Sequence, residues 1–338
     1  MTDNIQYAWL IIYLFALMSL FIYGMNCYLL LIFYFLKSPA ALRQHQEIKE
    51  KFFRNVPRQD WPQVTIQLPL YNERYVVKRL IQSVCRFDYP QELFEIQILD
   101  DSTDDTVDIA KAVAGEMMRQ GFDIGYIHRD ERTGFKAGAL KEGLKYAKGE
   151  LVGIFDADFI PNPQFLKETV PYFTDPRIGM LQTRWGHINS DYSLLTRAQS
   201  MGIDGHFGVE QAARAWCGLF MNFNGTAGIW RKKTIEDAGG WQADTLTEDL
   251  DLSYRAQLKG WKLKFVSDVV CPAEVPVTIN AFKSQQHRWA KGSIQTAKKN
   301  LGKLFKSDVS PLIKFQAFMH LTHYMVHPMM LLVVLTSI

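Results

Sequence analysis

Cysteine is scarce in this 338-residue chain, with four in all. Cys27, Cys85, Cys217 and Cys271 are far apart and form no C-x-x-C pair. That pattern argues against a disulfide framework, suggests no zinc site, and suits a reducing compartment or a membrane. Charge imbalance is also slight: a formal net charge of +3 is too small to argue for a nucleic-acid partner. Internal repeats and low-complexity segments are absent. Charged residues are missing altogether from Asn4 to Leu36, and again after Lys314.

These two uncharged stretches set the expected layout. About 20 apolar residues suffice for a spanning helix, so the run from Trp9 onward is long enough to span with tilt. It is too long for a cleaved signal peptide and lacks a basic leader. Lys37, Arg43, Lys49, Lys51 and Arg54 follow, and the positive-inside rule then places the next domain in the cytoplasm. At the other end Met329 to Leu335 is wholly apolar, and the chain stops there without a flanking anchor, as a piece of a longer membrane protein would. The expected segments are a transmembrane helix at 1–36, a cytoplasmic linker at 37–61, a catalytic domain at 62–280, an amphipathic interface helix at 281–310, and the start of a second transmembrane region at 311–338.

Between the ends, strand and helix alternate. Strands are expected at Gln63–Pro69, Leu93–Leu99, Ile124–His128, Leu151–Phe155 and Ile178–Trp185, with helices through Leu80 and Val84, up to Met118, and from Ala137 to Ala147. This alternation predicts an α/β fold with a mostly parallel sheet and helices on both faces. A helix from Ser193 to Ala215, broken around Gly202 and Gly205, precedes an amide-rich loop at Phe220–Thr226. Thr247 is a good N-cap for a further helix, and acids in its first turn suit the helix dipole.

The motifs lie at the ends of these elements. The fourth strand runs into Asp156-Ala-Asp158, and α/β folds bind ligands just beyond the carboxyl ends of their strands. Two acids one residue apart there suit a hard cation carrying phosphates, since Mg²⁺ prefers one or two protein carboxylates plus phosphate oxygens. In chain order the signals are Asn72-Glu73, Asp100-Asp101, Lys136-Ala-Gly-Ala139, Asp156-Ala-Asp158, Thr247-Glu-Asp249 and Gln285-Gln-His-Arg-Trp289.

With that ordered set the chain resembles the inverting, membrane-bound family 2 glycosyltransferases. It looks closest to their cellulose-synthase-like branch, which includes mannan synthases, over roughly Pro62 to Lys299. The resemblance implies a GT-A-like domain that moves a hexose from GDP-mannose or UDP-glucose to a growing β-linked polysaccharide. Asp101 would hold the nucleotide base, with Tyr71 and Glu73 nearby, and Lys136, Gln285 and Arg288 would sit by the diphosphate. Asp158 would ligate Mg²⁺ or Mn²⁺, and Asp156 would touch the ribose or share the metal. Asp249 would be the general base, and Trp289 would lie under the acceptor sugar, a flat apolar face matching the C–H face of a pyranose. The implied partners are a nucleotide-sugar donor, a polysaccharide or lipid acceptor and membrane lipids, with an oligomer or partner subunit left open. The implied location is the inner, plasma or Golgi membrane, with the catalytic domain in the cytoplasm.

Two other readings compete: a non-processive enzyme that makes a glycolipid, and a catalytically silent subunit that binds nucleotide sugar. The latter would be expected to have lost carboxylates or the Arg288-Trp289 pair. The stretch after Trp289 also reads as an interfacial helix, with Ile294, Ala297, Leu301, Leu304 and Phe305 on one face and Lys291, Lys298, Lys299, Lys303 and Lys306 around it. His320, His323 and His327 read as polar positions facing a protein interior or pore. Core packing accounts for most of Trp185, Trp216, Trp230 and Trp241.

Overall fold

The computed structural model describes residues 2–337, with side chains from Gln6 onward. Met1 and Ile338, the outermost residues of the first and last predicted segments, lie outside the described residues. Alternating apolar positions build a seven-stranded sheet from β1 (Val64–Leu70), β2 (Phe94–Asp100), β3 (Ile124–His128), β4 (Leu151–Ile154), β5 (Ile178–His187), β6 (Gly228–Arg231) and β7 (Lys262–Ala273). Their order is β3-β2-β1-β4-β6-β5-β7, and only β6 runs antiparallel to its neighbours. The five predicted strands are present within a residue or two, whereas β6 and β7 were not anticipated.

Helices cover both faces. On one, α2 (Val77–Val84), α3 (Thr106–Arg119) and α5 (Phe165–Thr169) pack on Ile66, Leu68, Ile96 and Ile98. On the other, α4 (Phe135–Tyr146), α8 (Lys232–Asp237) and α9 (Glu248–Leu258) pack on Val152, Ile154, Trp230 and Phe265. The polar members of the β1 and β2 alternation are buried as well, and they pair across the strands. Thr65 Oγ1 donates to Glu95 at 2.7 Å, and Gln67 Nε2 donates to Gln97 at 3.0 Å.

The N-terminal helix α1 spans Thr2–Asn55, so most of the expected linker at 37–61 is helical. The reason is packing: Phe52 enters the main core, His45 Nδ1 meets Tyr172 Oη at 2.7 Å, and Lys49 Nζ donates to Glu168 at 2.6 Å. Among the described residues α1 is the one helix that is by itself long and apolar enough to cross a membrane. Near the other end α11 (Pro311–Leu321) and α12 (Val326–Thr336) pass the same test together, bent by 56° at their junction.

The predicted interface helix forms as α10 (Ile279–Lys306). Of the face expected to lie on lipid, Ala297, Leu304 and Leu301 pack against Leu250, Tyr254, Ala317 and Leu321, while Phe305 is exposed. Lys299 is likewise withdrawn: its Nζ donates to Gln242, Asp244 and Asp251 at 2.7, 2.7 and 2.9 Å. Beneath it, buried Asp251 also accepts from Arg255 Nε at 2.8 Å and Asn300 Nδ2 at 2.9 Å, tying α9 to α10.

Candidate active site

The parallel strands deliver their following residues to one sheet edge. All ten predicted site residues line a single cavity there of about 940 Å³: Tyr71, Glu73, Asp101, Lys136, Asp156, Asp158, Asp249, Gln285, Arg288 and Trp289.

After β1, Asn72 takes a left-handed φ of 56°, held because its N–H donates to Ser102 Oγ at 2.9 Å and its Oδ1 accepts from Thr103 N–H at 2.9 Å. This lock joins the loops after β1 and β2. Asp100 is structural, with its carboxylate accepting from Tyr126 Oη at 2.5 Å and Ser102 N–H at 2.8 Å. Asp101 is gripped by the Arg129 fork, Nη2 at 2.5 Å and Nε at 2.7 Å, a bidentate pairing of fixed geometry. Arg132 then lies 3.4 Å over the Tyr71 ring. The sequence reading missed both arginines. They follow β3, and the rule that singled out Asp101 beyond β2 applied to them equally.

Three carboxylates crowd the next part of the cavity. Burial, reinforced by Asp156, lifts the Glu73 carboxyl to about 7. Burial, then Asp156, and more weakly Glu73, lift Asp158 to about 7. Lys136 Nζ donates to Asp156 at 2.5 Å and to the Gly225 carbonyl at 2.8 Å. Excess negative charge of hard oxygen donors is what a divalent cation relieves. Among the described residues no set of three or more His, Cys, Asp or Glu is arranged as a metal cage. The crowded Asp156 and Asp158 carboxylates suit an ion that takes its other ligands from phosphates and water, as Mg²⁺ does.

Asp249 opens α9. Burial raises its carboxyl to about 7, with the Glu248 charge adding and the Leu250 N–H, Lys136 and Arg288 opposing. Thr247 does not cap the helix with its side chain, contrary to expectation; its Oγ1 meets Thr296 Oγ1 of α10 at 3.3 Å. The two helices approach so closely that a Cβ on Gly292 would stand 2.5 Å from Thr247 Cγ2. The loop at 220–226 is hung on α9: Phe223 N–H donates to Ser253 Oγ at 2.8 Å and Met221 N–H to Gln257 Oε1 at 3.0 Å.

A second cavity, of about 510 Å³, adjoins the first, and Trp185, Asn224, Thr247, Asp249, Gln285 and Trp289 line both. Its other wall comes from α6 (Leu194–Gly205), the π-helical turn His206–Gln211 that joins α6 to α7 (Ala212–Trp216), and His320 and His323. Trp230 and Trp241 are core residues and Trp216 stacks on Tyr34, leaving Trp185 as the member of that group at the site.

A family model described as glycosyltransferase like family 2 matches residues 62–292. The chain is 42% identical over 274 residues to glucomannan 4-beta-mannosyltransferase 1 of Cyamopsis tetragonoloba, covering 80% of this chain and 52% of that protein. It is 47% identical over 238 residues to glucomannan 4-beta-mannosyltransferase 2 of Arabidopsis thaliana, covering 69% of this chain and 45% of that protein. The chain thus spans about half the length of the curated relatives it matches. Among solved structures, the mannosyltransferase PcManGT from Pyrobaculum calidifontis, in complex with GDP-Man and Mn²⁺, superposes with a TM-score of 0.65 at 21% identity, covering 92% of this chain and 84% of that one. S. aureus TarS in complex with UDP-GlcNAc superposes with a TM-score of 0.56 at 18% identity, covering 77% of this chain and 71% of that one. At those identities the two structures share the fold.

Proposed function

The chain belongs to glycosyltransferase family 2, with a GT-A-like fold, and on that premise we propose that it transfers a hexose from a nucleotide sugar to a β-linked polysaccharide at a membrane. One observation carries the reading: Asp249 and Trp289 stand in the wall common to two cavities, one lined by acids, Lys136 and Arg288, the other by Phe282 and Gln199.

In this reading the first cavity holds the donor. The base lies against the Tyr71–Arg132 stack, over the floor made by Asp101 and Arg129. Arg288 offers its fork, Lys136 a point charge and Gln285 an amide to the diphosphate. Asp158 and Asp156 would hold Mg²⁺ or Mn²⁺, which supplies Lewis-acid charge compensation on the departing diphosphate. Asp249 takes the proton of the acceptor hydroxyl as that oxygen forms its bond to the anomeric carbon. The bond to the diphosphate breaks on the opposite face, so the configuration inverts and the electron pair leaves with the nucleotide. A carboxyl lifted to about 7 by burial has the basicity such a step needs near neutral pH. Trp289 presents its face to the acceptor sugar.

The names of the relatives, 4-beta-mannosyltransferases, favour a mannosyl donor, which we take as GDP-mannose, with a β-1,4-linked mannan or glucomannan as the product. The helix α1 anchors the enzyme, with the catalytic domain on the cytoplasmic side. The test uses the full-length protein in lipid nanodiscs with Mg²⁺ or Mn²⁺ and a panel of nucleotide sugars, following nucleotide release and product length, with Asp249→Asn as control. Polymer formed from GDP-mannose and lost in the variant is the expected result. A single sugar on lipid would replace the polymerase reading. Nucleotide binding without turnover of any donor would overturn catalysis.

A further inference from the structure

The wall of the second cavity also carries a carboxylate that none of these steps uses. Glu210 sits on the π-helical turn His206–Gln211, and such turns inside α-helices occur frequently at functional sites. Its Oε1 accepts from Arg214 Nε at 3.0 Å and its Oε2 pairs with His206 Nδ1 at 3.1 Å. Arg214 is 1% exposed, yet 32% of the Glu210 side chain is open, and Glu210 lines the cavity. The counter-charge is buried behind the carboxylate, while part of the carboxylate stays accessible.

The hydrogen bonds around it fix every orientation. The Asn222 carbonyl accepts from Gln211 Nε2 at 2.7 Å, which settles that amide, and the same Nε2 donates to Asn224 Oδ1 at 2.6 Å. Asn224 must then turn its Nδ2 toward His206 Nε2, at 3.0 Å, so His206 Nε2 accepts and the Nδ1 proton goes to Glu210. The remaining lone pairs of Glu210 are left for a ligand.

Gln199 and Asn222, 7% and 9% exposed, line the same cavity. A carboxylate repels phosphate and accepts from hydroxyls. Trp289 and Phe282 add flat apolar surface. Hydroxyls at the rim and C–H groups on the faces describe a neutral sugar ring.

Resting on the glycosyltransferase reading, we propose that Glu210 is a specificity-determining residue that grips the terminal acceptor sugar by its hydroxyls, with His206 and Arg214 as positioning residues. The rival explanation, an i,i+4 salt bridge that merely staples the helix, does not account for the open face of Glu210 toward the cavity.

The experiment uses full-length protein in nanodiscs, GDP-mannose as donor and soluble β-1,4-linked mannotetraose as acceptor, with donor affinity measured separately by calorimetry. Glu210→Gln is expected to raise the acceptor KM by about tenfold or more, the loss of hydrogen bonds to a charged group, with kcat and donor affinity nearly unchanged. Because that change leaves the Arg214 charge buried and unpaired, the double variant Glu210→Gln/Arg214→Met is measured beside it and should show the same rise. His206→Phe should also raise the acceptor KM, and His206→Gln should restore most of the loss. A folded Glu210 variant with unchanged acceptor KM, or one that weakens the donor instead, overturns the proposal. Wild-type protein that turns over no nucleotide sugar overturns the functional reading, and this inference with it.

Discussion

Asp249 Oδ2 lies 3.0 Å from the point where a Cβ would stand on Gly225, and Lys136 Nζ lies 3.5 Å from the same point. Gly225 also holds φ at +85°, and its carbonyl accepts from Lys136 at 2.8 Å. One glycine therefore leaves room on either side for the Asp249 carboxylate in the first turn of α9 and for the lysine that binds the Asp156 carboxylate after β4.

Gly225→Ala tests that juxtaposition. The methyl group must push the Asp249 carboxylate aside by a few tenths of an ångström, and the left-handed backbone adds about 1–2 kcal/mol of strain. We expect kcat to fall about a hundredfold or more, in line with the sensitivity of positioned groups to displacements of about 1 Å, with much smaller change in nucleotide affinity. Steady-state kinetics alongside nucleotide titration check this, and an unchanged kcat would show that the contact is not needed.

Asp249 should govern the pH profile. Its carboxyl, raised to about 7 by burial and Glu248, must be ionised to accept a proton. The rate should therefore fall at least about tenfold per pH unit below that value, and Asp249→Asn should make the fall shallower, leaving the part due to Glu73 and Asp158, together with about 10²–10⁴-fold lower activity. Stability has the opposite sign. The folded state holds this proton more tightly than the unfolded chain, so its contribution is present at low pH and is lost as pH rises through about 7. Initial rates and melting temperatures from pH 5.5 to 8.5 would show both.

Arg132→Lys removes a planar cation from the face of Tyr71 without changing net charge. A guanidinium over an aromatic ring is worth about 0.5–2 kcal/mol, and lysine does not reproduce the stacking. Nucleotide Kd should rise about 2–30-fold, measured by calorimetry with nucleoside diphosphate. Equal affinity in the variant would remove the stack from the donor site.

Asp251→Ala removes the shared acceptor of Arg255, Lys299 and Asn300. Asp251 is fully buried, and stripping one partner from a buried ion pair costs about 3–5 kcal/mol. The expected result is a large drop in thermal stability. In whatever folded protein remains, α9 should loosen on α10, seen as faster amide exchange at Thr247–Leu258.

Much of this architecture could be read from the residues in order. Short runs rich in apolar residues gave β1, β2, β3, β4 and β5, because strands covered by helices on both sheet faces are buried along most of their length. The carboxylates beyond β2 and β4 stood out by their place at strand ends, since parallel strands bring their C-terminal ends to one edge, and the resemblance to family 2 glycosyltransferases gave them roles. The short β6 and the mixed-polarity β7 were missed, as four residues carry little periodicity and the Lys262–Ala273 segment alternates charges with apolar positions.

Other features depend on contacts between segments far apart in the chain. Lys299 looked free for a lipid surface because its partners Gln242, Asp244 and Asp251 lie about fifty residues away. The linker after residue 36 became helix because Phe52 found a core that the N-terminal segment alone cannot supply. Arg129, Arg132, Asn224 and Glu210 are ordinary polar residues until folding sets them around two cavities. The sequence by itself determined the strands, the apolar ends and which acids come to the sheet edge, because these follow from local periodicity and chain direction. Only the tertiary structure decided which charges are neutralised, which helix face is buried and that Asp249 stands between two cavities, because hydrogen-bond partners and burial depend on distance in space.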